Sequence, residues 1–373
     1  MTVALFTLGG TIASTNDPGA GDAGDPGDAG DPGDPGDAGD AGDAGRGGGA
    51  GAGRAAGVTP RLGGKELLSA IPGLGGLGAP VEVHDFRQMP GASLAIADVV
   101  ALAGAIRARV DAGVDGVVVT QGTDTLEETA FLLDLLWDGA APVVVTGAMR
   151  NPTLAGADGP ANVLAAMTVA ASPAARGLGC LVVMADQIHA ARYVRKVHTM
   201  SVAAFASPAL GPIGAVTEAR ARILTRPLAR VNFPVSGSAA AASEVRTGLV
   251  TMVLGDDGTL LRAAGDQFDG LVVAGFGVGH VPEAIVPDLH RLAGRIPVVL
   301  ASRTGAGMVL DRTYAFPGSE RDLLNRGLVG AGFLDPLKAR ILLHVLLMAG
   351  AGRDQIAATF RALAGDGQGT SPW

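Results

Sequence analysis

At 373 residues, 48% of them hydrophobic, the chain is long enough for two domains with sizeable cores. Its formal charge of −8 argues against a nucleic-acid surface, and its single cysteine, Cys180, excludes an internal disulfide and fits a reducing compartment. No run approaches the roughly 18 apolar residues of a membrane span, and the first residues lack the basic and apolar regions of a signal peptide, so a soluble cytoplasmic protein is expected.

The first predicted element is a strand over 3–8. A low-complexity segment follows over 16–57, built of repeated Gly-Asp-Ala and Gly-Asp-Pro steps. It holds nine Asp and two Arg, which leaves the rest of the chain at a net −1, so the acidity belongs to this one segment. With almost no apolar side chain larger than Ala, it cannot offset the entropy of ordering and is expected to be a disordered insertion. A collagen helix would need a long unbroken Gly repeat, and the Asp spacing matches no EF-hand loop.

Beyond the insertion, short apolar runs alternate with longer amphipathic ones. Strands are predicted over 81–83, 116–119, 142–145 and 178–184, with helices over 95–110, 126–136 and 161–171. Fully apolar strands separated by helices indicate a parallel sheet covered on both faces, hence an α/β fold. Thr125 and Glu128 are spaced as a capping box that would start the second of those helices. The rhythm loosens between about 206 and 245. It resumes with strands over 249–254, 270–274 and 297–301, a helix over 283–293, and a helix over 335–347 begun by Asp335-Pro336. The expected organisation is a larger N-terminal parallel-sheet α/β domain over 1–206, a linker over 207–245, and a smaller C-terminal α/β domain over 246–373.

In open α/β sheets, ligands gather at the carboxyl ends of the strands. Three polar clusters sit there. Leu8-Gly9-Gly10-Thr11-Ile12-Ala13 follows the first strand, its paired glycines allowing a tight turn and a close backbone approach. Read alone, it could equally be a turn with a surface threonine. Thr120-Gln121-Gly122-Thr123-Asp124-Thr125 ends the strand over 116–119 and leads into Leu126-Glu127-Glu128. If Thr125 is the cap, Thr123 and Asp124 are left for other work. The third cluster is Ala191-Arg192-Tyr193-Val194-Arg195-Lys196. A lysine brought into a partly buried site can lose its proton and act on a neighbouring hydroxyl, although a lone lysine is more often a surface charge.

Taken together, these segments resemble the bacterial-type L-asparaginase family. The likeness rests on 8–13, on Gln121 through Ala130, on Thr146-Gly147-Ala148-Met149-Arg150 and on Ala157-Asp158-Gly159-Pro160-Ala161-Asn162. It continues through Arg192 to Lys196 and Gly332-Phe333-Leu334-Asp335-Pro336-Leu337-Lys338-Ala339-Arg340, covering nearly all of the chain outside the insertion.

The resemblance implies hydrolysis of the side-chain amide of L-asparagine to aspartate and ammonia. Thr11 would attack the amide carbon. Thr123, Asp124 and Lys196 would form a second catalytic group in which Lys196 helps Thr123 deprotonate a water or assists Thr11. Asp124 would also bind the substrate ammonium, and the main-chain N–H groups of Thr123 and Ala148 would stabilise the oxyanion. No metal, cofactor, nucleic acid or membrane is implied. The family's homotetramer of close dimers is carried over in the same way.

Three positions depart from the family pattern. The lid tyrosine expected after the first threonine motif is replaced by the acidic insertion. Gly91 stands where a substrate-binding serine is expected, with Ser93 two residues on, so Ser93 or main-chain N–H groups would take the carboxylate. Tyr314 aligns with a glutamate that reaches in from a neighbouring subunit, which bears on asparagine against glutamine. The rival readings are a mixed glutaminase–asparaginase or other amidase, an amidotransferase subunit, and a non-catalytic sensor. Gly275-Phe276-Gly277-Val278-Gly279 lacks the spacing of a dinucleotide fingerprint.

Overall fold

The computed structural model describes residues 1–10, 12, 14–16, 58–60, 63–227, 230–233 and 239–364. Thr11 and most of the acidic segment, 17–57, lie outside the described residues.

The chain opens on β1 (Val3–Thr7) and a short antiparallel pair, β2 (Ser14–Asn16) and β3 (Val58–Pro60). It continues through α1 (Gly64–Ser69), β4 (Val81–Asp85), α2 (Ile96–Asp111), β5 (Gly116–Thr120), α3 (Leu126–Leu136), β6 (Val143–Thr146), α4 (Gly159–Ala170) and β7 (Cys180–Met184). β8 (Gln187–Ala190) turns back along β7. A two-residue pair, β9 (Arg195–Lys196) with β10 (Phe205–Ala206), precedes the hairpin β11 (Gly214–Thr217) and β12 (Arg220–Ile223).

The large sheet has eight strands in the order β12-β11-β8-β7-β6-β5-β1-β4. The five from β7 to β4 are parallel, and β8, β11 and β12 add an antiparallel edge. Runs such as Val117-Val118-Val119 and Val143-Val144-Val145 are buried on both faces, as the apolar pattern predicts for a covered parallel sheet. The predicted strands and helices of this half are all present, displaced by at most two residues at an end. The antiparallel edge was not foreseen. Its strands are short and half polar, because one side of the hairpin faces solvent.

After α5 (Ala239–Glu244) comes a separate parallel sheet: β13 (Thr247–Thr251), β14 (Gly270–Gly275), β15 (Val298–Ser302) and β16 (Val329–Gly330), in that order. Its helices are α6 (Thr259–Ala264), α7 (Val286–Arg295), α8 (Glu320–Asn325), α9 (Pro336–Met348) and α10 (Arg353–Ala364). The α/β class and the larger and smaller sheets agree with the sequence reading.

Two helices join these layers. α3 is buried on almost every side, and α9 packs against it. One continuous apolar cluster runs from Val117 and Val119 of the large sheet, through Leu132 and Leu342, to Val272 and Val299 of the small one. α9 starts as Asp335-Pro336 predicts: the Asp335 carboxylate accepts from Leu337 N (3.0 Å) and Lys338 N (3.2 Å). The capping box expected at Thr125 does not form, and Thr125 makes no side-chain cap to α3. Its hydroxyl is drawn away by a tertiary partner described below.

Candidate active site

The strand order reverses beside β1. From β1 the chain moves to β4 on one side, then crosses to β5 on the other, so the loops after β1 and β5 diverge around a crevice. Such a switch point is where an open α/β sheet binds its ligands. The strand ends are in register there, with Thr7 opposite both Thr120 and Asp85 and Thr120 opposite Thr146.

Glycines let three loops touch. Gly10, at φ +93°, packs so closely on Gly122 that a Cβ would lie 2.2 Å from the Gly122 nitrogen. A Cβ at Gly91 would lie 2.9 Å from the Gly122 carbonyl oxygen. No side chain fits at either place. The first threonine motif, the second and the 90–94 turn therefore meet backbone to backbone at residue 122. Ile12, fully buried, packs beside Gly159.

Thr123 follows Gly122 and is buried. Lys196 Nζ donates to its Oγ1 at 2.9 Å and lies 3.6 Å from Asp124 Oδ1. The Asp124 side chain is 59% exposed and the Lys196 side chain 20%, so the ammonium bridges a buried hydroxyl and a solvent-facing carboxylate. An open cavity of about 540 Å³, lined by Asp124, Lys196, Val197, His198 and Thr199, gives access. His198 Nδ1 accepts from Met200 N (3.0 Å) and Ser201 N (2.9 Å), which fixes the turn on its far side.

Ala148 lies on the neighbouring loop, after β6, and is buried. Asp158 holds that loop by accepting from Met149 N (3.0 Å) and Arg150 N (2.8 Å), and Asn162 Nδ2 donates to Gly147 O at 3.0 Å. Gly147 in turn presses on the Thr123 loop, where a Cβ would sit 2.5 Å from Gln121 O. The main-chain N–H groups of Thr123 and Ala148 find no acceptor among the described residues.

The structure thus brings Thr123, Asp124 and Lys196 into one contact group, with Gly91 and Ala148 on the two loops packed against it. Ser93 is exposed, at the end of the turn Gly91–Ser93. Tyr314 lies in the C-terminal half, partly exposed, with its ring edge-on to His280 at 4.9 Å. Among the described residues no group of His, Cys, Asp and Glu is arranged to hold a metal ion.

Several supports escaped the sequence reading. The Thr125 hydroxyl donates to Gly91 O (2.8 Å) and accepts from Gln121 Nε2 (3.0 Å), tying the 90–94 turn to the base of α3. Below it, Glu127 and Lys338 form a buried ion pair at 3.4 Å. Burial raises the Glu127 carboxyl above its ordinary range, and the Lys338 ammonium opposes the rise. The available signal was Glu127 and Lys338, ionisable residues in the first turns of two largely apolar helices.

Comparison with known proteins decides the family. The model for the N-terminal asparaginase domain matches residues 46–229, and that for the glutaminase/asparaginase C-terminal domain matches 246–360. This chain belongs to the asparaginase family. It is 40% identical over 296 residues to a probable L-asparaginase of Deinococcus radiodurans, covering 78% of this chain and 88% of that one. A glutaminase-asparaginase of Pseudomonas fluorescens is 32% identical over 291 residues, 77% of this chain and 78% of its own. The crystal structure of a probable cytoplasmic L-asparaginase from Campylobacter jejuni superposes with a TM-score of 0.76 at 26% identity, covering 96% and 98% of the two chains. This asparaginase-family chain therefore carries both of the family's domains. None of its described helices is long and apolar enough to cross a membrane.

Proposed function

We propose that this protein hydrolyses the side-chain amide of L-asparagine to L-aspartate and ammonia through a threonine-linked acyl-enzyme. The observation that carries the reading is the Thr123–Lys196–Asp124 contact group at the switch point of an asparaginase-family fold. In this scheme the Thr11 oxygen attacks the amide carbon and its proton passes to the Lys196–Thr123 pair. The N–H groups of Thr123 and Ala148 take up the oxyanion, the C–N bond breaks, and ammonia leaves with the transferred proton. Water then attacks the ester, Thr123 and Lys196 accept its proton and return it to the departing Thr11 oxygen, and the Thr11 hydroxyl is released with aspartate. Asp124, facing solvent, meets the substrate ammonium, and the turn at Gly91 and Ser93 meets its carboxylate.

A hydroxyl needs such help, because it is a weak nucleophile at neutral pH. A lysine Nζ in contact with a threonine oxygen can polarise it as an ammonium or serve as its base once deprotonated. We propose with this a cytoplasmic location, a dimer of dimers, and two domains over 1–206 and 246–373. The connector between them over 207–245 adds the β11–β12 hairpin to the sheet edge.

Ammonia release from L-asparagine and L-glutamine, with Thr11→Ala as control, tests the reading. Turnover of asparagine that vanishes in the variant supports it. Equal turnover of both amides would favour the broader glutaminase-asparaginase activity carried in the name of the Pseudomonas relative. No release from folded protein would overturn both.

A further inference from the structure

The chain has three lysines against 25 arginines, and two of the three lie in one place. Lys196 contacts Thr123, while Lys338, on the first turn of α9, is completely buried. The Lys338 ammonium has three donors and uses all three. They reach Asp335 Oδ2 at 2.9 Å, Glu127 Oε2 at 3.4 Å and the Val194 carbonyl at 2.5 Å. Val194 is two residues before Lys196. Between them, Arg195 Nη1 donates to Gly305 O at 2.6 Å, and its Nε faces Asp335 Oδ2 at 4.0 Å.

Residues 194 and 195 are thus gripped by the start of α9 and by the loop after β15. β9 needs this grip because it is only two residues long and pairs, among the described residues, with β10 alone, so its own ladder fixes little. We infer that the buried Glu127–Lys338 pair is a positioning device by which α9 of the C-terminal domain sets the backbone of β9 and so aims the Lys196 ammonium at Thr123. The inference rests on the catalytic reading of Lys196 given above. A lysine suits position 338 because a compact ammonium can serve three converging acceptors, whereas a planar guanidinium presents its donors in a fixed fork.

The test is the paired substitution Glu127→Leu/Lys338→Met, alongside Lys338→Met alone. The single variant leaves an uncompensated buried carboxylate and can fail to fold. The double variant removes both charges of the pair, an exchange that is often neutral for stability, while Asp335 keeps its cap bonds to Leu337 N and Lys338 N and still faces Arg195. Steady-state hydrolysis of L-asparagine and a crystal structure are read for the double variant and the wild type. Expected is a fall in kcat on the order of 10²-fold with KM within about twofold, since reacting groups misplaced by about 1 Å lose that much. The Lys196 Nζ to Thr123 Oγ1 distance should also open beyond hydrogen-bond range. A double variant with wild-type kcat, or with the contact unchanged, overturns the inference. A wild-type protein that releases no ammonia overturns the functional reading instead, and the distance still decides the positioning role.

Discussion

Lys196 Nζ donates to Thr123 Oγ1 across 2.9 Å, joining a two-residue strand to the loop after β5 over 73 positions of sequence. The contact stabilises little, because Lys196 is partly exposed and neighbours a solvent-facing carboxylate. Its role in the proposed chemistry is to move a proton. Lys196→Met should therefore lower kcat by about 10²–10⁴-fold, the usual worth of positioned acid–base catalysis, and leave the melting temperature nearly unchanged. Thr123→Val should act in the same direction. Ammonia-release kinetics beside a circular-dichroism melt separate the two effects, and unchanged kcat in either variant would remove the pair from the mechanism.

The Gly10–Gly122 contact should tolerate no side chain. Gly10→Ala places a Cβ 2.2 Å from a main-chain nitrogen at a φ of +93°. Backbone strain and the displaced loop together should cost about 2 kcal/mol or more. Activity should fall further than the loss of folded protein explains, because the Thr123 loop would move. Urea unfolding and kinetics on the same sample check both.

Thr125 holds the 90–94 turn, so its hydroxyl matters although it caps nothing. Thr125→Val keeps the shape and strips a partner from the Gly91 carbonyl and from the Gln121 amide, which is fully buried. An unfolding free energy lower by about 1–3 kcal/mol is expected. Thr125→Ser should recover most of it. Equal stability of the valine and serine variants would contradict the assignment.

His189 links folding to pH. It is fully buried in β8, with Nδ1 at 2.9 Å from Ser207 Oγ, and burial pushes its pKa down from 6.5 to about 4. The unfolded chain binds this proton near pH 6.5, while the folded chain resists it until near pH 4. The contribution is fully present above pH 6.5 and is lost as the pH falls towards 4, at roughly 1.4 kcal/mol per unit. Denaturant midpoints between pH 7 and 4.5 should fall less steeply in His189→Gln than in the wild type. The raised Glu127 and Glu128 carboxyls act in the opposite direction but are common to both proteins and cancel in the comparison.

Local chemistry in the sequence determined the inner strands and the longer helices, and it named the residues proposed for the site. Val117 to Val119 and Val143 to Val145 can satisfy their backbone and bury both faces only as inner strands of a covered parallel sheet. Asp335-Pro336 carries its own helix start, and Gly9-Gly10 carries its own turn. Partnership was decided by the tertiary structure alone. Thr125 and Glu128 have the spacing of a cap, yet Gly91, 34 residues away, takes the Thr125 hydroxyl because the packed glycines bring its carbonyl there. Glu127 and Lys338 are 211 residues apart and face each other only once α3 and α9 pack. Helical periodicity reports which face is apolar but not which buried charge meets which, and that choice belongs to the contact between the two helices.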